Sequence, residues 1–370
     1  MKYKVSTILL TFICSLLLTG CWDEKLLKDT RFILSIGLDR EKNGTLSGTY
    51  TTPNSNNFPQ STIVTTVTGT DLRDLTQKIN NKVAENLDST KLKMIFFEDK
   101  LAQKDGIFPY IDIALRDPNN PMNSFIIVTK GKSKDYFTNP IPNEGIPSQY
   151  YEDLFRSAIK RNIIPEVYLL QASRIFYNEG NDIVIPYVSH SQDKTPEIAG
   201  LALFNGGKFT GKTLSIDESI LFNVMNEQSD IIHPQFIEKI FSGNDPNIEN
   251  YITFNFTKIN PKVKTSIVDG RVKAMITMNV QVEVIESPKL KVKHNVNKMQ
   301  NIIEKKLTKQ GNSIIKKLQN ANCDGLSIGR KLMAFHSDEF KKTDWKNGGY
   351  KNGDIQVKFN VRISQHGLIY

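Results

Sequence analysis

The chain has 370 residues, of which 39% are apolar and 24% charged, with a formal charge of +9 and three cysteines. That balance belongs to a globular protein of two or three domains. After the first 20 residues no apolar run approaches the roughly 20 residues of a spanning helix.

The first element is a leader. Lys2 and Lys4 precede an uncharged, mostly apolar run over 5–18, and Leu18-Thr19-Gly20-Cys21 closes it. A positive start, a short apolar stretch and small residues before a cut are the layout of a secretory signal. Leu18 and Gly20 fit poorly the A-x-A pattern of ordinary cleavage, whereas Leu-Thr-Gly-Cys has the form of a bacterial lipobox. Residues 1–20 are therefore expected to be a signal peptide, and the Cys21 thiol to carry a diacylglyceryl group. Two acyl chains anchor stably, at about 0.8 kcal/mol per buried CH₂, where one chain binds only marginally. Removing Lys2 and Lys4 with the leader lowers the charge from +9 to +7 and leaves Cys323 without a disulfide partner.

Residues 32–38 are β-rich, and Asn43-Gly44 reads as a hairpin turn with 46–52 returning. Residues 61–68 read as a strand. Thr70 is placed to cap the next helix, with Asp71 and Asp74 at its positive end and Leu72, Leu75, Ile79 and Val83 at helical spacing. A strand buried on both faces over 92–97, a helix within 101–116 and a strand over 125–129 complete an α/β domain, 21–135. Pro140, Pro142 and Pro147 mark a boundary. The middle domain, 136–214, has predicted helices over 150–160 and 165–177, the second with Pro165 in its first turn. Pro186 marks the strand over 183–188 as an edge or an early end. Asn205-Gly206-Gly207 turns a hairpin between 198–204 and 208–214. The third domain, 215–370, opens with a helix over 217–226. Strands follow over 251–256, 263–268 and 272–285, the last two joined at Asp269-Gly270. A long helix over about 290–320 carries Val296, Met299, Ile303, Ile314 and Leu318 near one stripe, and 287–321 holds nine Lys against one Glu. Gly325 and Gly329 stop it, a shorter helical stretch runs to about 340, and 355–363 is a closing strand. The expected fold class is α/β in the α+β sense, with three consecutive small domains, each a mixed sheet with packed helices.

Catalytic chemistry finds little footing. Gly325-Leu326-Ser327-Ile328-Gly329 matches G-x-S-x-G, but the nucleophile elbow needs a strand before the serine and here a helix is predicted. Only Asp338 or Asp354 with His366 would supply the triad order. His190, His233, His294, His336 and His366 form no H-E-x-x-H or short-spaced pair, so no metal is expected, and no phosphate-cradling glycine motif is present. No catalytic residue and no cofactor are expected. The basic helix reads first as a solvated outer face, and otherwise as a contact for a membrane surface or a partner protein. Nucleic acid does not suit an exported lipoprotein.

Taken in order, several motifs resemble the C subunit of spore germinant receptors, the Ger(x)C lipoprotein family. They are Cys21-Trp22-Asp23, Ile36-Gly37-Leu38-Asp39, Thr68-Gly69-Thr70, and Lys93-Met94-Ile95-Phe96-Phe97 followed by Leu101-Ala102. Ile185-Pro186-Tyr187, Ala199-Gly200-Leu201-Ala202-Leu203-Phe204, then Asp324 to Gly329, Trp345, 357–361 and Gly367 continue the series. Where the family has Asp, two residues and Gly-Phe-Gly, this chain has Ser327-Ile328-Gly329. The resemblance implies a non-enzymatic subunit held by its lipid on the outer face of the cell membrane, the inner membrane of the spore. Its implied partners are the polytopic A and B receptor subunits, with which it serves nutrient-triggered germination. It carries over Cys21 as the lipid site and gives Asp324, Gly325, Gly329 and Trp345 structural roles. The other expectation kept open is a solute-binding lipoprotein of a transporter.

Overall fold

The computed structural model describes residues 27–54, 61–139, 141, 145–226, 235–239, 250–286 and 292–366. The leader, Cys21-Trp22-Asp23, Pro140, Pro142, His233 and Gly367 lie outside them. A turn of 3-10 helix, Leu27–Asp29, leads into strands β1 (Thr30–Phe32), β2 (Ser35–Arg40), β3 (Leu46–Asn54) and β4 (Ser61–Gly69), then helix α1 (Leu72–Asn80). Next come β5 (Asn86–Asp88), β6 (Met94–Glu98), α2 (Asp99–Lys104), α3 (Phe108–Arg116) and β7 (Phe125–Thr129). Helices α4 (Asp135–Thr138), α5 (Pro147–Lys160) and α6 (Leu169–Phe176) precede β8 (Val184–His190), β9 (Pro196–Asn205) and β10 (Lys208–Leu214). The C-terminal part holds α7 (Ile216–Met225), β11 (Gln235–Lys239), β12 (Tyr251–Val268), β13 (Arg271–Glu286) and α8 (Val292–Ala321). It ends with α9 (Ile328–Phe335), α10 (Ser337–Phe340) and β14 (Asp354–His366).

The fold is a mixed α/β one. An eight-stranded sheet of order β10-β9-β8-β7-β6-β2-β3-β4 spans residues 35–214. Its centre, β8-β7-β6-β2, is parallel, and antiparallel pairs flank it. The ladder from β7 to β8 makes the sheet continuous across residue 135. Parallel strands need cover on both faces, and β6 shows how it is supplied. Met94 and Phe96 point into one core with Tyr151 and Phe155 of α5, while Ile95 and Phe97 point into another with Leu75, Leu101 and Ile111. The ring of Phe96 lies 5.0 Å from those of both Phe137 and Tyr151.

Several elements differ from the sequence reading for local reasons. Asp71, not Thr70, caps α1, because its carboxylate reaches the N–H groups of Arg73 and Asp74 at 2.8 and 2.9 Å. The helix expected within 101–116 is two, broken where Gly106 takes a φ of +79°. Pro165 lies outside α6, which starts at Leu169. Pro186 sits inside the sheet, since β8 pairs with β7 only at Tyr187 and Val188 and its missing N–H is not needed there. The two strands expected over 251–256 and 263–268 are one. Beyond Asn255 the far side of β12 has no ladder partner among the described residues, so Pro261 interrupts nothing.

The second sheet has order β11-β12-β13-β14. The inward residues Val272, Ala274, Ile276, Met278, Val280 and Val282 meet Met299, Ile303, Leu307, Ile314 and Leu318 of α8 in one core. Helix α8 also closes the sheet edge. The N–H groups of Val357, Phe359, Val361 and Ile363 donate to the side chains of Asn312, Thr308, Glu304 and Gln300, at 3.0 to 3.3 Å. Four helical residues rise about 6 Å and two strand residues about 6.6 Å, so the two spacings stay in step over four rungs. An exposed strand edge invites pairing with other chains, and these side chains occupy it.

Candidate functional site: buried acids and the basic C-terminal face

In open α/β sheets, ligands sit beyond the carboxyl ends of parallel strands. Here that position holds Asp39, Arg40, Glu98 and Lys132. Asp39 accepts from the N–H of Ser133 at 2.6 Å and of Lys134 at 3.2 Å, and burial raises its pKa against those bonds. Glu98 accepts from the N–H of Arg40 at 2.7 Å and lies 3.4 Å from Lys132 Nζ. Gly37 makes room for this packing, since a Cβ there would stand 2.6 Å from Ser133 Oγ. The carboxylates thus brace the loop after β7. The Ile36-Gly37-Leu38-Asp39 motif is accounted for by that bracing.

A second acidic pair joins the eight-stranded sheet to the C-terminal part. Asp324 is fully buried, and its carboxylate accepts from the N–H of Ile328 at 2.9 Å, the N–H of Gly329 at 2.7 Å and Trp345 Nε1 at 3.2 Å. Asp182 accepts from the N–H of Asp324 at 2.8 Å and the N–H of Gly206 at 2.7 Å, and its own N–H donates to the Asp324 carbonyl at 3.0 Å. Gly180 and Gly329 touch there, and a Cβ on Gly329 would meet Gly180 Cα at 2.6 Å. Burial, with Asp182 nearby, pushes the Asp324 carboxyl up to about 7. Burial also raises Asp182, and raises the Cys323 thiol and the Tyr350 hydroxyl well above their ordinary values.

Asp324 and Gly325 lie in the turn after α8 and Trp345 is in the core, as expected, whereas Gly329 falls in the first turn of α9. Ser327 has a φ of +56° and stands between two helices, so the G-x-S-x-G stretch is this turn and no elbow. Asp338 is exposed on α10, 3.8 Å from Lys341, Asp354 receives a bond from Gln356, and His336 Nε2 lies 3.2 Å from the Thr265 carbonyl. His190 stacks on Tyr136, with ring centroids 4.1 Å apart, and burial lowers its pKa. Among the described residues no cluster of three or more His, Cys, Asp or Glu is placed to hold a metal. An open, polar hollow of about 580 Å³ lies at the β12–β13 turn, lined by Arg271, Thr343, Asp344, Asn347 and Asn352.

The charge is unevenly shared. Residues 215–370 hold 23 Lys or Arg against 16 Asp or Glu, whereas 27–214 hold 22 against 21. On α8, Lys306 and Lys317 pair with Glu238 and Glu218, while Lys298, Lys305, Lys309 and Lys316 fall on one exposed line opposite the buried stripe. Sequence reading missed Asp182 and the Gln300, Glu304, Thr308, Asn312 ladder. The ladder was findable as polar residues repeating every four positions beside an apolar stripe; Asp182 had only its stop-like Gly180-Asn181-Asp182 setting.

Two family models cover the chain. "Spore germination protein N-terminal domain" matches residues 23–190, and "Spore germination B3/GerAC like, C-terminal" matches 199–367. The chain belongs to this family of spore germination proteins. Relatives within it include the putative spore germination protein YfkR of Bacillus subtilis, 21% identical over 100% of this chain and 99% of its own length. GerQC of Bacillus cereus is 21% identical over 97% and 98%, and spore germination protein B3 of Bacillus subtilis 23% over 100% and 98%. The crystal structure of the GerBC protein superposes with a TM-score of 0.59 at 18% identity, covering 89% of this chain and 96% of that one, and so shares the fold. The two family domains meet between β8 and β9, inside the eight-stranded sheet. Among the described residues of this family member no helix is long and apolar enough to cross a membrane.

Proposed function

We propose that this chain is a lipid-anchored, non-enzymatic subunit of a spore germinant receptor, working beside polytopic membrane subunits in nutrient-triggered germination. The observation that carries the reading is the lipobox Leu18-Thr19-Gly20-Cys21 ahead of a body that matches spore germination proteins over their whole length. Cys21 is the lipid site, and the outer face of the cell membrane, the inner membrane of the spore, is the location. A tether raises the effective concentration of membrane partners without any new contact. The body divides into modules 21–135, 136–214 and 215–370, the first two sharing a sheet. The buried carboxylates support a structural part rather than a chemical one, because backbone N–H groups hold Asp39, Asp182 and Asp324 in place. A solute-binding lipoprotein would need a cleft between two lobes. Here the contact of Gly180 with Gly329 and the Asp182–Asp324 bonds close the corresponding junction. Replacing Cys21 with Ala is expected to move the protein from the membrane fraction to the soluble fraction and to weaken the germination response. Membrane retention and response equal to the unaltered chain would overturn the proposal.

A further inference from the structure

Helix α8 covers one face of the C-terminal sheet; among the described residues no element covers the other. Register fixes what it presents. Lys258, Gln281 and Arg362 stand in one row across β12, β13 and β14, Asn260, Asn279 and Asn360 in the next, and Lys262, Thr277 and Lys358 in the third. The middle row is knitted together, with Asn360 Nδ2 donating to Asn279 Oδ1 at 2.9 Å and Asn279 Nδ2 to the Asn260 carbonyl at 3.4 Å. The four cations are exposed and mark the corners of a rectangle. Strand spacing makes it about 10 Å by 13 Å. None of the four forms an ion pair with another described residue. No carboxylate lies inside the rectangle: Glu283 and Asp354 stand beyond its ends.

We propose that this open face is a second membrane contact, in which Lys258, Lys262, Lys358 and Arg362 bind the phosphates of anionic lipid headgroups. The proposal rests on the lipid-anchored reading, which keeps a bilayer within reach of the body. Three observations favour headgroups over an acidic protein. The C-terminal part carries the excess positive charge, 23 cationic against 16 anionic residues. The face is laid out as a sheet surface whose rows alternate cations and amides. It lacks the large aromatic anchor in a pocket on which protein interfaces depend, whereas headgroups respond to clustered Lys and Arg. The asparagine row holds the three strands in register and so keeps the cations at fixed spacing. Bound this way, a tethered body becomes an oriented one, with α8 and its lysine line turned away from the bilayer.

The test uses the chain from residue 21 onward with Cys21→Ser, so that no acyl tether contributes and the result is independent of whether Cys21 is the lipid site. Co-sedimentation with vesicles of phosphatidylglycerol and phosphatidylcholine is expected to be strong, absent with phosphatidylcholine alone, and weaker as salt rises. Lys258→Glu, Lys262→Glu, Lys358→Glu and Arg362→Glu together should cut binding by about tenfold or more. The same change of charge on the helix, Lys298→Glu, Lys305→Glu, Lys309→Glu and Lys316→Glu, should leave most of it. Thermal unfolding checks each variant, and the milder pair Lys262→Gln and Arg362→Gln should still lose binding severalfold at an unchanged midpoint. No binding of the parent chain to anionic vesicles, or equal losses from both faces, overturns the proposal.

Discussion

The eight-stranded sheet and the C-terminal sheet treat exposed surface and charge in opposite ways. The first is covered on both faces, and its region is near neutral, with 22 cationic and 21 anionic residues. Seven of its described cations form ion pairs, among them Arg31–Glu85, Arg40–Asp105 and Lys93–Glu152. Among the described residues the second is covered on one face only, and four exposed cations stand on each of its open face and the outer line of α8. A near-neutral scaffold is thus joined to a module with charge to offer, through the Asp182–Asp324 junction and a shared apolar core.

Breaking that junction should have the largest effect. Asp324→Ala leaves the N–H groups of Ile328 and Gly329 and the Trp345 indole without their acceptor, at a cost of about 3–6 kcal/mol. Urea unfolding should show a much lower midpoint. Phe96→Ala tests the scaffold alone: truncating a fully buried ring between Phe137 and Tyr151 should cost about 3–5 kcal/mol. The pH dependence separates the two regions further. With the Asp324 carboxyl at about 7 in the fold and near 4 when unfolded, the folded chain keeps a proton that the unfolded chain has lost. Stability from this group is therefore full below roughly pH 4 and declines as pH rises through about 7. Asp324→Asn should flatten that decline in urea midpoints measured from pH 5 to 8, and an unchanged slope would exclude the assignment. A smaller loss, about 1–2 kcal/mol, is expected for Thr308→Val, which orphans the Phe359 N–H on the sheet edge. Smallest of all, Lys309→Ala on the outer line of α8 should leave the thermal midpoint within measurement error.

Elements whose pattern is local were readable from the sequence. The turns at Asn43-Gly44 and Asp269-Gly270, the apolar stripe of α8 and the alternation of β13 all appear where the residues place them. Harder to read was whatever depends on a distant neighbour. Pro186 looked like an edge marker because only the short β7–β8 ladder explains its place inside the sheet. The single strand β12 read as two, 251–256 and 263–268, because nothing local reveals that Pro261 falls where one side of the strand has no partner among the described residues. Asp182 is an ordinary loop acid until Asp324, 142 positions later, is set against it. The flanks of α8 show only polar residues until β14 brings four backbone N–H groups to them.

Mass analysis of the N-terminal peptide of the protein purified from membranes tests the central claim most directly. The lipid-anchored reading predicts a mature chain that begins at Cys21 with a diacylglyceryl group on its sulfur. An unmodified terminus, or one at any other residue, would contradict it.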